Sequence, residues 1–111
     1  MSIEKISENL IIATLPDEEK INEILKSLND KVTDGDNCDI IIDFSRVETI
    51  TSSGISNLLI LRGLMKKINR KLIICSIKMA TRCIFTVTGI DDIFEIADDK
   101  YAAKQAIEKN D

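Results

Sequence analysis

Along this chain the spacing of apolar residues switches several times between a period of two and a period near 3.6, and each switch marks an element. "IEKIS" and "NLIIATL" flank a polar Ser7-Glu8-Asn9 and read as the arms of a short hairpin, although Ile3 and Ile6 break the alternation. From Pro16 the period lengthens, with Ile21, Ile24, Leu25, Leu28 and Val32 at helical spacing. Pro16 suits a first helical turn, and Asp17, Glu18 and Glu19 suit its positive dipole end. "TDGDN" then breaks that helix at Gly35. The β-branched runs at 38–44 ("CDIIIDF") and 71–77 ("KLIICSI") are continuously apolar, as strands covered on both faces are.

Between those two runs lies a helix pattern at 53–68, with Ile55, Leu58, Leu61, Leu64, Met65 and Ile68 apolar and Asn69 placed to close it in the left-handed conformation. A third helix is expected over 78–88, stopped by Gly89, then a short strand at 93–97 and a closing helix in "DKYAAKQAIEKN". The segment 40–77 thus reads strand–helix–strand, with a helix long enough to cross between parallel strands. The whole of 1–111 predicts one α/β domain: a single small mixed sheet with about four helices packed on it.

Apolar residues make up 44% of the 111 and charged residues 31%, which suits one soluble domain with one core. No apolar run is long enough to span a bilayer, and "MSIEKISENL" lacks the apolar core of a signal peptide, so a cytoplasmic protein without membrane insertion is expected. The net charge of −4 argues against nucleic acid as the main partner. The nearest approach to a basic cluster, Lys66, Lys67, Arg70 and Lys71, reads as a solvated helix end. Cys38, Cys75 and Cys83 form no C-x-x-C, and Cys75 reads as a small core residue. The chain has no histidine, which removes Ser-His and Cys-His nucleophile pairs and makes a metal site improbable. No cofactor is implied, and catalysis is not the expected role.

One stretch remains, "IIIDFSRVETITSSGI". Asp43 stands at the end of a strand, and in open α/β sheets the edge beyond the strands' carboxyl ends is where ligands and partners meet the fold. The helix after it begins near Ser52 or Ser53, either of which can cap it. A hydroxyl there can equally carry a phosphate, because the dipole and the first-turn N–H groups tolerate the added charge. The stretch contains neither a phosphate-binding loop nor a nucleophile elbow, so nucleotide binding there has little support.

The same stretch resembles the STAS domain of bacterial anti-sigma factor antagonists. That family's hallmark runs roughly D-hydrophobic-S-x-V-x-x-I-D-S-S/T-G-hydrophobic, matched here by Asp43, Phe44, Ser45, Val47, Ile50, Thr51, Ser52, Ser53, Gly54 and Ile55. A second segment, "TGIDDIFEI", resembles the family's T-G-L-D-x-x-F-x-I, and the likeness spans about 40–99. Thr51 stands where the family carries an acid, and "ATLPDEEKI" looks shortened, with Asp17 a loose counterpart of the acid that leads into the first helix.

The resemblance implies a switch protein rather than an enzyme. Its phosphorylation site would be Ser52, the first serine of the motif, within a partner-binding surface of Asp43, Thr51, Ser53, Gly54 and Ile55. The implied partners are a serine kinase that is also the anti-sigma factor, bound by the unphosphorylated form and released by the phosphorylated one, and a PP2C-type phosphatase that resets the cycle. The alternative is a STAS scaffold or subunit that no longer switches, docked on a transporter ATPase or within a signalling complex, with Ser52 only capping the helix.

Overall fold

A computed structural model describes residues 2–16 and 20–109. Strands β1 (Ile3–Ser7), β2 (Leu10–Thr14), β3 (Asp39–Asp43), β4 (Leu72–Cys75) and β5 (Glu95–Ala97) form one sheet in chain order. The first pair is antiparallel and the other three pairs are parallel, so the sheet is mixed, as expected. The irregular spacing of Ile3 and Ile6 has a cause in the hairpin. Lys5 pairs Ile11 while Ser7 pairs Leu10, so Ile6 is the extra residue of a bulge.

Parallel neighbours need crossovers, and α1 (Ile21–Thr33), α2 (Ser52–Lys67) and α3 (Met79–Thr88) supply them. Crossovers of one hand between sequential strands stack their helices on one face. There Ile11, Ala13, Ile40, Ile42 and Ile74 of the sheet share a core with Leu25 and Leu28 of α1, Leu58 and Leu61 of α2, and Phe85 of α3. The alternate residues Ile12, Ile41, Ile73 and Cys75 face the other way and pack against α4 (Lys100–Glu108) through Ala103, with Ala106 and Ile107 alongside. Both faces being covered is why "DIIID" and "LIIC" are apolar without alternation. Each fully buried Ile or Leu contributes about 1.5–3 kcal/mol, so this two-sided burial is the main stabilising term.

Three boundaries differ from the sequence expectation. Helix α1 begins at Ile21 rather than at Pro16, and 17–19 of the expected first turn lie outside the described residues. Leu15, restricted by the proline after it, continues the extended path, and its N–H donates to the Asp43 carbonyl at 3.0 Å. Strand β4 stops at Cys75 because Ser76 turns to a φ of 60°. Strand β5 begins only at Glu95, since the N–H groups of Ile93 and Phe94 both turn back to Ile90 O. Asn69, at φ 57°, and Gly89, at φ 77°, close α2 and α3 in the left-handed region as their sequence positions predict.

Candidate functional site at the start of helix α2

Residues 44–51 join the carboxyl end of β3 to α2, and the apolar anchors of this loop are residues of the sequence motif. Asp43 is 3% exposed. Its Oδ1 accepts the Ser45 N–H at 2.8 Å, which bends the chain out of the strand, and the Val47 N–H closes the turn on Phe44 O at 3.0 Å. Phe44, Val47 and Ile50 are buried and pin the loop to the core. The Phe44 ring meets Phe85 of α3 edge-on, with centroids 6.2 Å apart. Helix α3 also holds the loop by its polar groups. The buried Thr81 hydroxyl donates to Glu48 O at 2.9 Å, and Lys78 Nζ lies 2.7 Å from Glu48 Oε1.

The loop ends in a cap. Thr51 is extended (φ −85°, ψ 167°), and its Oγ1 accepts the Gly54 N–H at 3.2 Å, while the Ile55 N–H makes the first helical bond to Thr51 O. The cap is therefore Thr51, not Ser52 or Ser53. Those two serines occupy the first and second helical positions, and both side chains are exposed. The helix register is set by packing: a Cβ on Gly54 would come within 2.7 Å of Ile50 Cγ1, so the buried Ile50 and the helix backbone close up against each other. Thr51, where the resemblance leads one to expect an acid, supplies the capping oxygen through its hydroxyl.

Of the residues expected at the surface, Thr51, Ser52 and Ser53 are exposed, Ile55 is half-buried, and Gly54 is buried. Asp43, expected among the partner-binding residues, is buried and braces the loop from within. Sequence reasoning missed what it holds. Asp43 Oδ2 lies 3.7 Å from Lys100 Nζ, so one carboxylate ties the loop to the first residue of α4 across the sheet. Asp99 caps that helix, accepting the Ala102 N–H at 2.8 Å. Cys75 lies beside Asp43 in the sheet, and burial, with the Asp43 charge adding to it, pushes its thiol up to about 11. A thiol held protonated in this way is not a nucleophile at neutral pH.

No acidic side chain occupies the first turn of α2, so the turn itself supplies no negative charge to its positive end. Among the described residues no group of three His, Cys, Asp or Glu side chains could hold a metal ion. No helix among them is long and apolar enough to cross a membrane. The site presents two exposed serine hydroxyls in the first turn of α2, behind a loop held by buried anchors.

The sequence profile of the STAS domain matches residues 16–103, and the chain belongs to that family. It is 27% identical over 67 residues to a Bordetella bronchiseptica protein, BtrV, whose name describes an anti-sigma factor antagonist. That match takes in 60% of this chain and 58% of the relative's length. A crystal structure described as an anti-sigma factor antagonist of Thermotoga maritima superposes with a TM-score of 0.82 at 17% identity, covering 96% of this chain and 92% of that one. The phosphorylated form of the Bacillus cell fate determinant SpoIIAA gives 0.71 at 18% identity, covering 94% and 96%. At such identities the structural likeness establishes the fold.

Proposed function

We propose that this protein is a phospho-regulated anti-sigma factor antagonist: unphosphorylated it binds a serine kinase that is also the anti-sigma factor, and phosphorylation of Ser52 releases it. The observation that carries this reading is the placement of Ser52, an exposed hydroxyl in the first turn of α2, on a loop held by buried anchors from β3 and α3. Membership of the STAS family and the likeness to anti-sigma factor antagonists support it. A PP2C-type phosphatase would restore the hydroxyl, and the protein itself performs no catalysis. A phosphate at the first helical position adds about −1.5 to −2 charge at the positive end of a helix whose first turn carries no acid, so the isolated domain tolerates it. A partner surface closing over that position would have to desolvate the charge, which costs several kcal/mol.

Thr51 favours a second reading, in which the motif's acid is gone because the site no longer switches and the domain acts as a scaffold or subunit in a larger assembly. Phosphotransfer separates the two. The cognate serine kinase with ATP should add one phosphate, and fragment spectra should locate it on Ser52. Label on Thr51 or Ser53 alone would move the site, and no label at all would favour the scaffold.

A further inference from the structure

The outer face of α2 carries a pattern that release from a kinase does not require. The exposed residues of this helix fall in pairs about its midpoint. Leu59 and Ile60, 38% and 53% exposed, stand at the middle. Ser56 and Gly63 lie a turn to either side, and beyond them Ser52 and Ser53 mirror Lys67 and Lys66. That the positions mirror each other follows from the helical repeat; the chemistries they carry do not.

Gly63 has no packing reason within the fold. It stands in the interior of a helix, where glycine is the weakest former after proline, and a Cβ there would meet nothing within 4 Å. What the missing side chain leaves open is the close approach of a second backbone. Among the described residues neither Lys66 nor Lys67 makes an ion pair, and Glu95 borders a hollow with Lys66 without pairing to it.

Given Ser52 as the phosphoacceptor, the reading on which this rests, we propose that phosphorylation makes the outer face of α2 an interface between two copies of this chain. Their α2 helices pack antiparallel about a twofold axis at Leu59 and Ile60. In that register Ser52 of one copy faces Lys67 of the other, Ser53 faces Lys66, and Ser56 faces Gly63. Small residue meets small residue, so the backbones can close to the about 8 Å of the tightest helix pairs. The exposed apolar pair is covered at the axis. Ser52 lies about 11 Å along the helix from that axis, where helices inclined by about 20° have parted sideways by only about 4 Å, within reach of a lysine side chain. Each phosphate thus meets two lysines of the other copy, and the twofold axis makes the contact twice. Without the phosphate the same register brings those lysines to the positive end of the other helix, whose first turn carries no acid, and repels them. One helix pair covers less than the roughly 1,600 Å² of a standard interface, so the dimer is weak and the two phosphates decide whether it forms. Pairing covers Ser52, so a phosphatase must act on the monomer.

The test installs phosphoserine at position 52 of the full chain by genetic encoding and measures self-association by sedimentation equilibrium. The expected dimer dissociation constant is on the order of 100 µM for the phosphoprotein and at least about tenfold weaker for the unmodified chain. Joint Lys66→Glu and Lys67→Glu should return the phosphoprotein to the unmodified value. Gly63→Leu should do the same by blocking the close approach, while melting at or above the parent temperature, because a Cβ there is unopposed and the new residue is a better helix former. A phosphoprotein that stays monomeric at millimolar concentration overturns the proposal. So does an unmodified chain that dimerises equally well, or a dimer that survives both sets of substitutions and so uses another face. Because no kinase enters the experiment, failure of the pairing leaves the kinase reading of Ser52 untouched.

Discussion

Replacing Thr51 by alanine removes the oxygen that accepts the Gly54 N–H at 3.2 Å and leaves that first-turn donor to water. Loss of such a cap costs about 0.5–2 kcal/mol, and the long, part-buried bond places this one near 1 kcal/mol. For a domain of this size that is a fall of about 4 °C in melting temperature. Thr51→Asp is the informative partner. It keeps an acceptor at the same place and adds a negative charge at the helix end, where no first-turn acid now stands, for a gain of about 0.3–1 kcal/mol. The charge part of that gain should shrink as salt rises. Ser52→Ala and Ser53→Ala, at exposed positions beyond the cap, should each stay within about 0.5 kcal/mol of the parent. Urea unfolding of the four variants measures these differences directly. If Thr51→Ala proved neutral while Ser52→Ala or Ser53→Ala cost 1 kcal/mol, the helix would start one or two residues later, and the placement of Ser52 would be wrong.

Other changes probe the loop's anchors. Gly54→Ala gains about 1 kcal/mol of helix propensity but drives a Cβ to within 2.7 Å of Ile50 Cγ1, at an overpacking cost of about 1–3 kcal/mol; a net loss of up to about 2 kcal/mol is expected by urea unfolding, and a more stable variant would refute the close approach. Asp43→Ala strands the Ser45 N–H and should cost about 1–3 kcal/mol, whereas Lys100→Ala, losing a half-exposed cation 3.7 Å from the carboxylate, should cost about 1 kcal/mol or less; the reverse order in unfolding assays would contradict the strut. The Cys75 thiol is raised from an ordinary 9.0 to about 11, so the folded state holds its proton more tightly than the unfolded one. Its contribution is therefore complete below pH 9 and is lost as pH rises toward 11, by up to about 3 kcal/mol. Cys75→Ala should flatten the stability profile over that window, and in the native state only Cys83 should react with a thiol reagent at pH 8.

The parts of the fold that local chemistry decides were legible in the sequence. Continuous apolar runs announced strands buried on both faces, and Gly89 and Asn69 announced helix ends, because a left-handed residue leaves few alternatives. The bounds of β5 were not legible: Ile93 and Phe94 look like strand residues but serve a turn and the core behind it. The candidate site was legible as a motif but not as a structure. Three successive hydroxyls, Thr51, Ser52 and Ser53, can each cap a helix, and the choice is made by the burial of Val47 and Ile50 and by the clearance at Gly54, which are tertiary facts. Asp43 looked like a surface acid because its cation, Lys100, is remote in sequence and reaches it from α4. The ties from Thr81 and Lys78 to Glu48 were hidden for the same reason.

The measurement that bears most directly on the central claim is the affinity of the cognate kinase for three forms of the protein: Ser52→Ala, Ser52→Asp and the Ser52 phosphoprotein. A buried, unpaired charge at an interface costs about 2–5 kcal/mol, and each 1.4 kcal/mol is tenfold. The account predicts that Ser52→Ala binds like the parent, that the phosphoprotein binds at least about 30-fold more weakly, and that Ser52→Asp falls between. Equal affinity of all three would contradict it and leave Ser52 as no more than the first residue of a helix.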